Sequence, residues 1–250
     1  MDRRIKVTII TVCYNSEQTI RRCIESVLHQ TYENIEYIIV DGVSTDGTMK
    51  IVKEYEPLFQ GRLRWISEPD DGIYYAMNKG IDMATGELIG IINSDDYYER
   101  DAVEYIINSM TGDKYLILYG AMRSLRQGVE ESISICSHIF LKERMINHPS
   151  CFVKKAVYDD FGKFDTQYIS AADYDFMLRV SEKKEVYFKP VYHIIANFSL
   201  GGFCASGNAY IDLIKVRHAW SLLSEREYKK IIWKDKLVRL LRSLRNSEPI

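Results

Sequence analysis

Along this chain the apolar positions switch repeatedly between continuous runs and helical spacing. Ile5 to Val12 reads IKVTIITV, a β-branched run ending at Cys13-Tyr14-Asn15; apolar residues then recur at Ile20, Cys23, Ile24, Val27 and Leu28, one face of a helix. Asn15 followed by Gln18 predicts the N-cap of that helix. A second run, Ile35 to Val40, ends at Asp41, and Gly42-Val43-Ser44-Thr45-Asp46-Gly47 leads into a helical stretch from Met49 to Phe59. The third unit is Leu63 to Ile66, the loop Ser67-Glu68-Pro69-Asp70-Asp71-Gly72 and a helix from Tyr74 to Ala84. The fourth strand, Leu88 to Ile92, ends at Asn93-Ser94-Asp95-Asp96. Continuous apolar strands alternating with helices predict an α/β, Rossmann-like, mostly parallel sheet covered on both faces, joined by right-handed crossovers.

Ligands of such sheets bind beyond the carboxyl ends of the strands. The loops around Tyr14, Asp41, Asp71 and Asp95 are therefore expected on one rim, and three of these four positions are carboxylates. Carboxylates that converge repel one another unless a cation, a hydroxyl-rich ligand or helix N-termini compensate them. A metal or nucleotide-sugar site is the expectation, against the plainer reading that each Asp caps the next helix.

The second half is less regular. Tyr115 to Tyr119 and Ile133 to Cys136 read as short strands, and Asn147-His148-Pro149 leads to a helix from Lys154 to Phe161. Ser170-Ala171-Ala172-Asp173-Tyr174-Asp175 opens a further helix carrying Phe176, Met177, Leu178 and Val180, and Val186 to Tyr192 is a strand. A helix follows from about Asn208 to Leu223. From 229 to 245, KKIIWKDKLVRLLRSLR sets seven Lys and Arg against Asp235, with Trp233, Leu237, Leu240, Leu241 and Leu244 at helical spacing. A basic amphipathic helix of this kind suits an anionic membrane surface, and packing on a second protomer or on its own domain is equally open.

Composition narrows the function classes. Lys+Arg 33 against Asp+Glu 35 gives a formal net charge of -2, which offers nucleic acid no global attraction. The five cysteines (Cys13, Cys23, Cys136, Cys151, Cys204) are odd in number and lack metal-ligand spacing; buried thiols and a reducing cytosol are expected. Met1-Asp2-Arg3-Arg4 has no signal-peptide h-region, and no run approaches the roughly 18 apolar residues of a spanning helix.

Five separated segments carry a resemblance: VTIITVCYN (Val7 to Asn15), IEYIIVDGVSTDG (Ile35 to Gly47), SEPDDGIYYAMNKG (Ser67 to Gly80), GELIGIINSDDYY (Gly86 to Tyr98) and FDTQYISAADYDFMLR (Phe164 to Arg179). In order and content the chain resembles the family 2 nucleotide-sugar-dependent glycosyltransferases of the GT-A fold, over roughly its first four-fifths. The resemblance implies a GT-A catalytic domain over 1-205, with 1-98 as the nucleotide-binding half and 99-205 as the acceptor-binding half, and a helical extension over 206-250.

It also implies roles. Tyr14, Asn15 and Asp41 would meet the nucleotide, the ring by stacking and the carboxylate by accepting hydrogen bonds. The metal-binding element falls on Asn93-Ser94-Asp95, so Asp95 is the expected ligand of Mg²⁺ or Mn²⁺, with Asn93 and Asp96 beside it on the donor; Asn departs from the family's first acidic position. Asp173 matches the general base that takes the acceptor's proton, with Ala172 in place of the usual partner Glu. Asp175 and Arg179 have the spacing of an i,i+4 ion pair. His148 is expected at the acceptor, and Asp71 and Lys79 at the nucleotide or its phosphates.

The activity so implied is inverting transfer of a hexosyl or N-acetylhexosaminyl group. It would run from a nucleoside diphosphate sugar to a cell-surface glycan or lipid-linked acceptor, in the cytoplasm or peripherally on the inner membrane face. The rival class is a catalytically degenerate nucleotide- or glycan-binding module, suggested by Asn93 and Ala172. A sugar-1-phosphate nucleotidyltransferase is disfavoured because Cys13-Tyr14-Asn15-Ser16-Glu17 is no Gly-rich phosphate loop, and a processive polymerase because no Gln-x-x-Arg-Trp element is present.

Overall fold

A computed structural model describes residues 5–201 and 207–245, with residues 207, 208 and 240–245 followed as backbone only. Cys204 and the Met1-Asp2-Arg3-Arg4 start lie outside the described residues. The nine described strands form one sheet in the order β3-β2-β1-β4-β8-β6-β9-β5, with β7 paired to β6. β1 (Val7–Cys13), β2 (Ile35–Asp41), β3 (Leu63–Ser67) and β4 (Leu88–Ile91) run parallel to one another, and the other edge of β4 pairs antiparallel with β8. The register sets Cys13 beside Asp41 and Asp41 beside Ser67, so three strands finish level. That shared edge is where the expected loops meet.

Alternation divides the core. Ile10, Val12, Ile38 and Val40 face one cluster, covered by α3 (Ile73–Met83) and α6 (Ala172–Ser181). Val7, Ile9, Ile35, Tyr37 and Ile39 face the other, covered by α1 (Ile20–Leu28) and α2 (Thr48–Tyr55). Packing of α3 on β1 requires glycine: a Cβ at Gly80 would lie 2.5 Å from Ile10 Cγ2, so a side chain there would push the helix off the sheet.

The second half mixes directions. β5 (Tyr97–Tyr98) pairs antiparallel with β9, and α4 (Ala102–Asn108) follows it. β6 (Leu116–Arg126) pairs antiparallel with β7 (Val129–Ser134) and β8 (Cys151–Lys154), and parallel with β9 (Tyr187–Ser199). β6 and β9 run well past the expected Tyr119 and Tyr192, because partly exposed strand ends alternate too weakly to be read from the sequence. α5 (Lys155–Phe161) returns from β8.

α7 (Gly207–Ala219), which the sequence puts in the extension from 206, shares the main core through buried Val216, with Leu213 packed against it. α8 (Glu225–Arg245) meets α7 through the stacked rings of His218 and Tyr228 and the His218–Glu225 contact of 2.7 Å. Trp233 is 65% exposed and Leu237 38%, so the stripe does not pack on its own domain over the described residues. No helix of the described residues is long and apolar enough to cross a membrane. Cys13, Cys23 and Cys151 are buried free thiols, as expected, whereas Cys136, also a free thiol, is only half-buried.

Candidate active site

Beyond the carboxyl ends of β1, β2 and β4 lies a cleft of about 750 Å³. Of the residues expected at a ligand, Tyr14, Asn15, Asn93 and Asp95 line it. Tyr14 presents its ring, 64% exposed, beside Gly42. A Cβ at position 42 would lie 3.3 Å from Asp70 Oδ2 and 3.5 Å from the Tyr14 ring; the bare glycine lets β2 end between them.

Asn15 does not cap α1, which begins at Ile20 after a turn closed on the Ser16 carbonyl. It takes a left-handed conformation (φ 47°) and stitches two loops instead: its N–H donates to Ser44 Oγ (2.8 Å) and its Oδ1 accepts from the Thr45 N–H (2.8 Å). Asp41 stands behind the lining, fully buried, and accepts from the Ser44 N–H (3.1 Å), Ser44 Oγ (2.5 Å) and Ser67 Oγ (2.6 Å). A relay from Asp41 through Ser44 to Asn15 thus fixes the turn that carries Tyr14. Burial, then the charge of Asp41, pushes the Cys13 thiol upward, so Cys13 packs as a neutral wall residue.

Asn93, Asp95 and Asp96 share the turn after β4, closed by the Asp96 N–H on the Asn93 carbonyl (3.1 Å). Arg22 of α1 and Ser199 of β9 both donate to the Asp95 carbonyl (2.8 and 2.6 Å), which leaves the Asp95 carboxylate to the cleft. Burial raises the carboxyl of Asp95 above the usual range. Asp96 points inward, fully buried, with Oδ1 accepting from the Ser199 N–H (2.8 Å); burial first and the charge of Asp95 second push it well up. Asp96 Oδ2 and Asn93 Oδ1 are buried without a partner.

The orphaned oxygen of Asn93 and the desolvated carboxylate of Asp95 fit a hard divalent cation, which prefers oxygen donors. Among the described residues no three His, Cys, Asp or Glu gather at one point, so diphosphate oxygens and water would complete such an ion's shell.

Other expected residues sit elsewhere. Asp71 is exposed outside the lining, and its neighbour Asp70 takes the place expected for it, bracing the loop by accepting from the Gly72 N–H (3.1 Å). Lys79 turns back to Glu68 (2.9 Å) and the Pro69 carbonyl (2.9 Å). Asp173 and His148 share a second cluster: Asp173 accepts from Tyr74 Oη (2.8 Å), and both the Tyr74 and His148 rings meet Phe164. Burial lowers His148, with the charge of Asp173 opposing, which favours its neutral form. Asp175 is braced by Trp220 Nε1 (2.8 Å) and stands 3.8 Å from Arg179. Asp70 had a partial signal in the Asp70-Asp71-Gly72 loop; Phe198, which lines the cleft from β9, had none.

The chain is 36% identical over 99 residues to the glycosyltransferase GlyA of Streptococcus pneumoniae, covering 40% of this chain and only 14% of that protein. It is 28% identical over 211 residues to a PGL/p-HBAD biosynthesis glycosyltransferase of Mycobacterium tuberculosis, covering 82% of this chain and 80% of the other. A solved mannosyltransferase of Pyrobaculum calidifontis, in complex with GDP-Man and Mn²⁺, superposes with a TM-score of 0.67 at 17% identity, over 90% of this chain and 66% of that one, and shares the GT-A fold. With the family model for glycosyl transferase family 2 matching residues 8–153, more than half its length, the chain belongs to that family and is a glycosyltransferase.

Proposed function

We propose that the protein is an inverting enzyme that moves one hexosyl or N-acetylhexosaminyl group from a nucleoside diphosphate sugar to a hydroxyl of a cell-surface glycan or lipid-linked oligosaccharide. The observation that carries this is the cleft at the strand ends, where the exposed ring of Tyr14, the desolvated Asp95 and Asn93 line one space. Tyr14 stacks on the base, and Asp70 accepts from the base or ribose. Asp41 and Asp96 act through the turns they hold. Asp95 and Asn93 hold Mg²⁺ or Mn²⁺, which when bound neutralises the diphosphate and stabilises it as a leaving group. Asp173 takes the proton of the acceptor hydroxyl, and His148, uncharged, offers a hydrogen bond near that hydroxyl. The exposed Trp233 and the cations of α8 suit an anionic bilayer, where a lipid-linked acceptor resides, and support a peripheral position on the cytoplasmic face.

The test is a thermal-shift screen with UDP, GDP, CDP, ADP and dTDP, each with and without Mn²⁺. One nucleotide should raise the melting temperature with the metal and much less without it, since a ligand that binds only the folded chain stabilises it. No shift with any of them would sink the reading. Anionic phosphatidylglycerol vesicles should retain the full chain at low salt and release it at high salt; no retention would remove the membrane from the account.

A further inference from the structure

Tyr74 lies in the first turn of α3, and its ring is buried, 6% exposed, against Phe164. Its hydroxyl, however, reaches across 99 positions of chain to donate to Asp173 Oδ1 at 2.8 Å. The Tyr174 N–H donates to that same oxygen at 3.0 Å. Asp173 Oδ2 has no hydrogen bond among the described residues. A carboxylate held by two donors on one oxygen cannot turn about its Cβ–Cγ bond without breaking both. Its other oxygen keeps its lone pairs for an incoming hydroxyl.

Tyr74 also occupies a particular place on α3. Gly72, Ile73 and Ala76, around it on the helix's opening turn, line the cleft, while the Tyr74 side chain leaves on the side of Phe164 and Asp173. The buried Tyr74 ring packs on Phe164, 5.4 Å between centroids, and Phe164 is in turn held by Phe176 at 5.4 Å and His148 at 5.8 Å. A hydroxyl on a ring so confined has little freedom to leave its acceptor, and it joins the helix that borders the donor to the residue that serves the acceptor.

We propose that Tyr74 is a positioning residue, which fixes the Asp173 carboxylate with Oδ2 turned toward the acceptor hydroxyl; this rests on the reading of Asp173 as the general base. In the transfer step the acceptor's proton passes to Oδ2 as its oxygen bonds to the anomeric carbon. The bond from that carbon to the phosphate oxygen breaks, and its electron pair leaves with the diphosphate. Tyr74 keeps its proton throughout.

Two variants of the full chain test this, Tyr74→Phe and Asp173→Asn. Turnover is read as nucleoside diphosphate released from UDP-N-acetylglucosamine, UDP-galactose, UDP-glucose or GDP-mannose with Mn²⁺ and water as acceptor. Phenylalanine keeps the ring packing and removes only the hydroxyl. Loss of one hydrogen bond to a charged group predicts a fall in kcat of about 10- to 100-fold, with the KM for the sugar nucleotide and UDP and GDP affinity unmoved. An unchanged kcat, or a loss in nucleotide affinity as large as the loss in kcat, overturns the proposal. If Asp173→Asn is inactive while Tyr74→Phe is not, the Tyr74 assignment alone fails; if Asp173→Asn still turns over, the base reading fails and takes this one with it. A crystal structure of Tyr74→Phe gives an answer independent of turnover: the Asp173 carboxylate should adopt a second orientation, and a single unchanged one refutes the positioning role.

Discussion

The two halves of the sheet hold their site residues by different means. In the parallel half, polar stitches connect neighbouring loops: Asp41 to Ser44 and Ser67, Ser44 to Asn15, and Asp46 to Thr48 and Glu17. In the mixed half the fastening bonds span much more of the fold. Tyr74 reaches Asp173, and Asp212 of α7 accepts from the backbone N–H groups of Ile169 and Ser170, just ahead of the helix that carries Asp173. Ser199 of β9, by holding Asp96 and the Asp95 carbonyl, ties the two halves together. Under the proposed function, the nucleotide end of the cleft keeps its shape through bonds between adjacent loops, whereas the proposed acceptor side, assembled from distant segments, is free to be rebuilt while that end stays the same.

Three substitutions sharpen that contrast, taken from the largest expected effect to the smallest. Asp95→Ala removes the charged oxygen donor facing the cleft, so the Mn²⁺-dependent part of UDP or GDP affinity should fall at least about tenfold in a calorimetric titration. A Mn²⁺-dependent gain in affinity as large in the variant as in the parent would show that the metal is held elsewhere. Asp212→Ala leaves two backbone donors without their acceptor at a buried site and should cost about 1–3 kcal/mol of stability. That corresponds to a melting temperature lower by several degrees, with nucleotide affinity untouched. If nucleotide affinity drops in step, the two halves are not separable in the way argued here.

The smallest effect concerns pH. Burial raises Asp96, so its charged form is disfavoured in the folded chain. The stabilising contribution is complete below the ordinary carboxyl value of about 3.9 and fades as pH rises through the higher folded value. Asp96→Asn keeps an oxygen for the Ser199 N–H and carries no charge. It should melt higher than the parent at neutral pH, by a few degrees at most, and the gap should close as the buffer approaches pH 4. A gap that widens toward acid would contradict the sign.

The cleft's wall was partly legible in advance. Tyr14, Asn15, Asn93 and Asp95 follow apolar runs, and such positions in a parallel sheet end on one edge whatever the details of the loops. Asp41 was legible as a strand end but not as a buried one, because its burial depends on Cys13 and Ser67 flanking it in register. The choice between Asp70 and Asp71 was not legible either. Both are loop carboxylates before a glycine, and only the packing of that loop against Gly42 separates them. Asn15 looked like a cap because its residue type and spacing allow one; the loop from β2 offered its side chain better-placed partners.

The sequence by itself therefore determined the succession of strands and helices, the polar edge where four strands end, and the motifs of the family. Each of these is written in periodicity or in short contiguous segments. Tertiary structure alone decided that Phe198 completes the cleft, that α7 braces the segment before α6, and that Tyr74 grips Asp173. Those pairings depend on strand order and on how helices seat upon the sheet. A contact between residues about a hundred positions apart leaves no periodic trace at either end, because each partner is locally an ordinary aromatic or an ordinary acid.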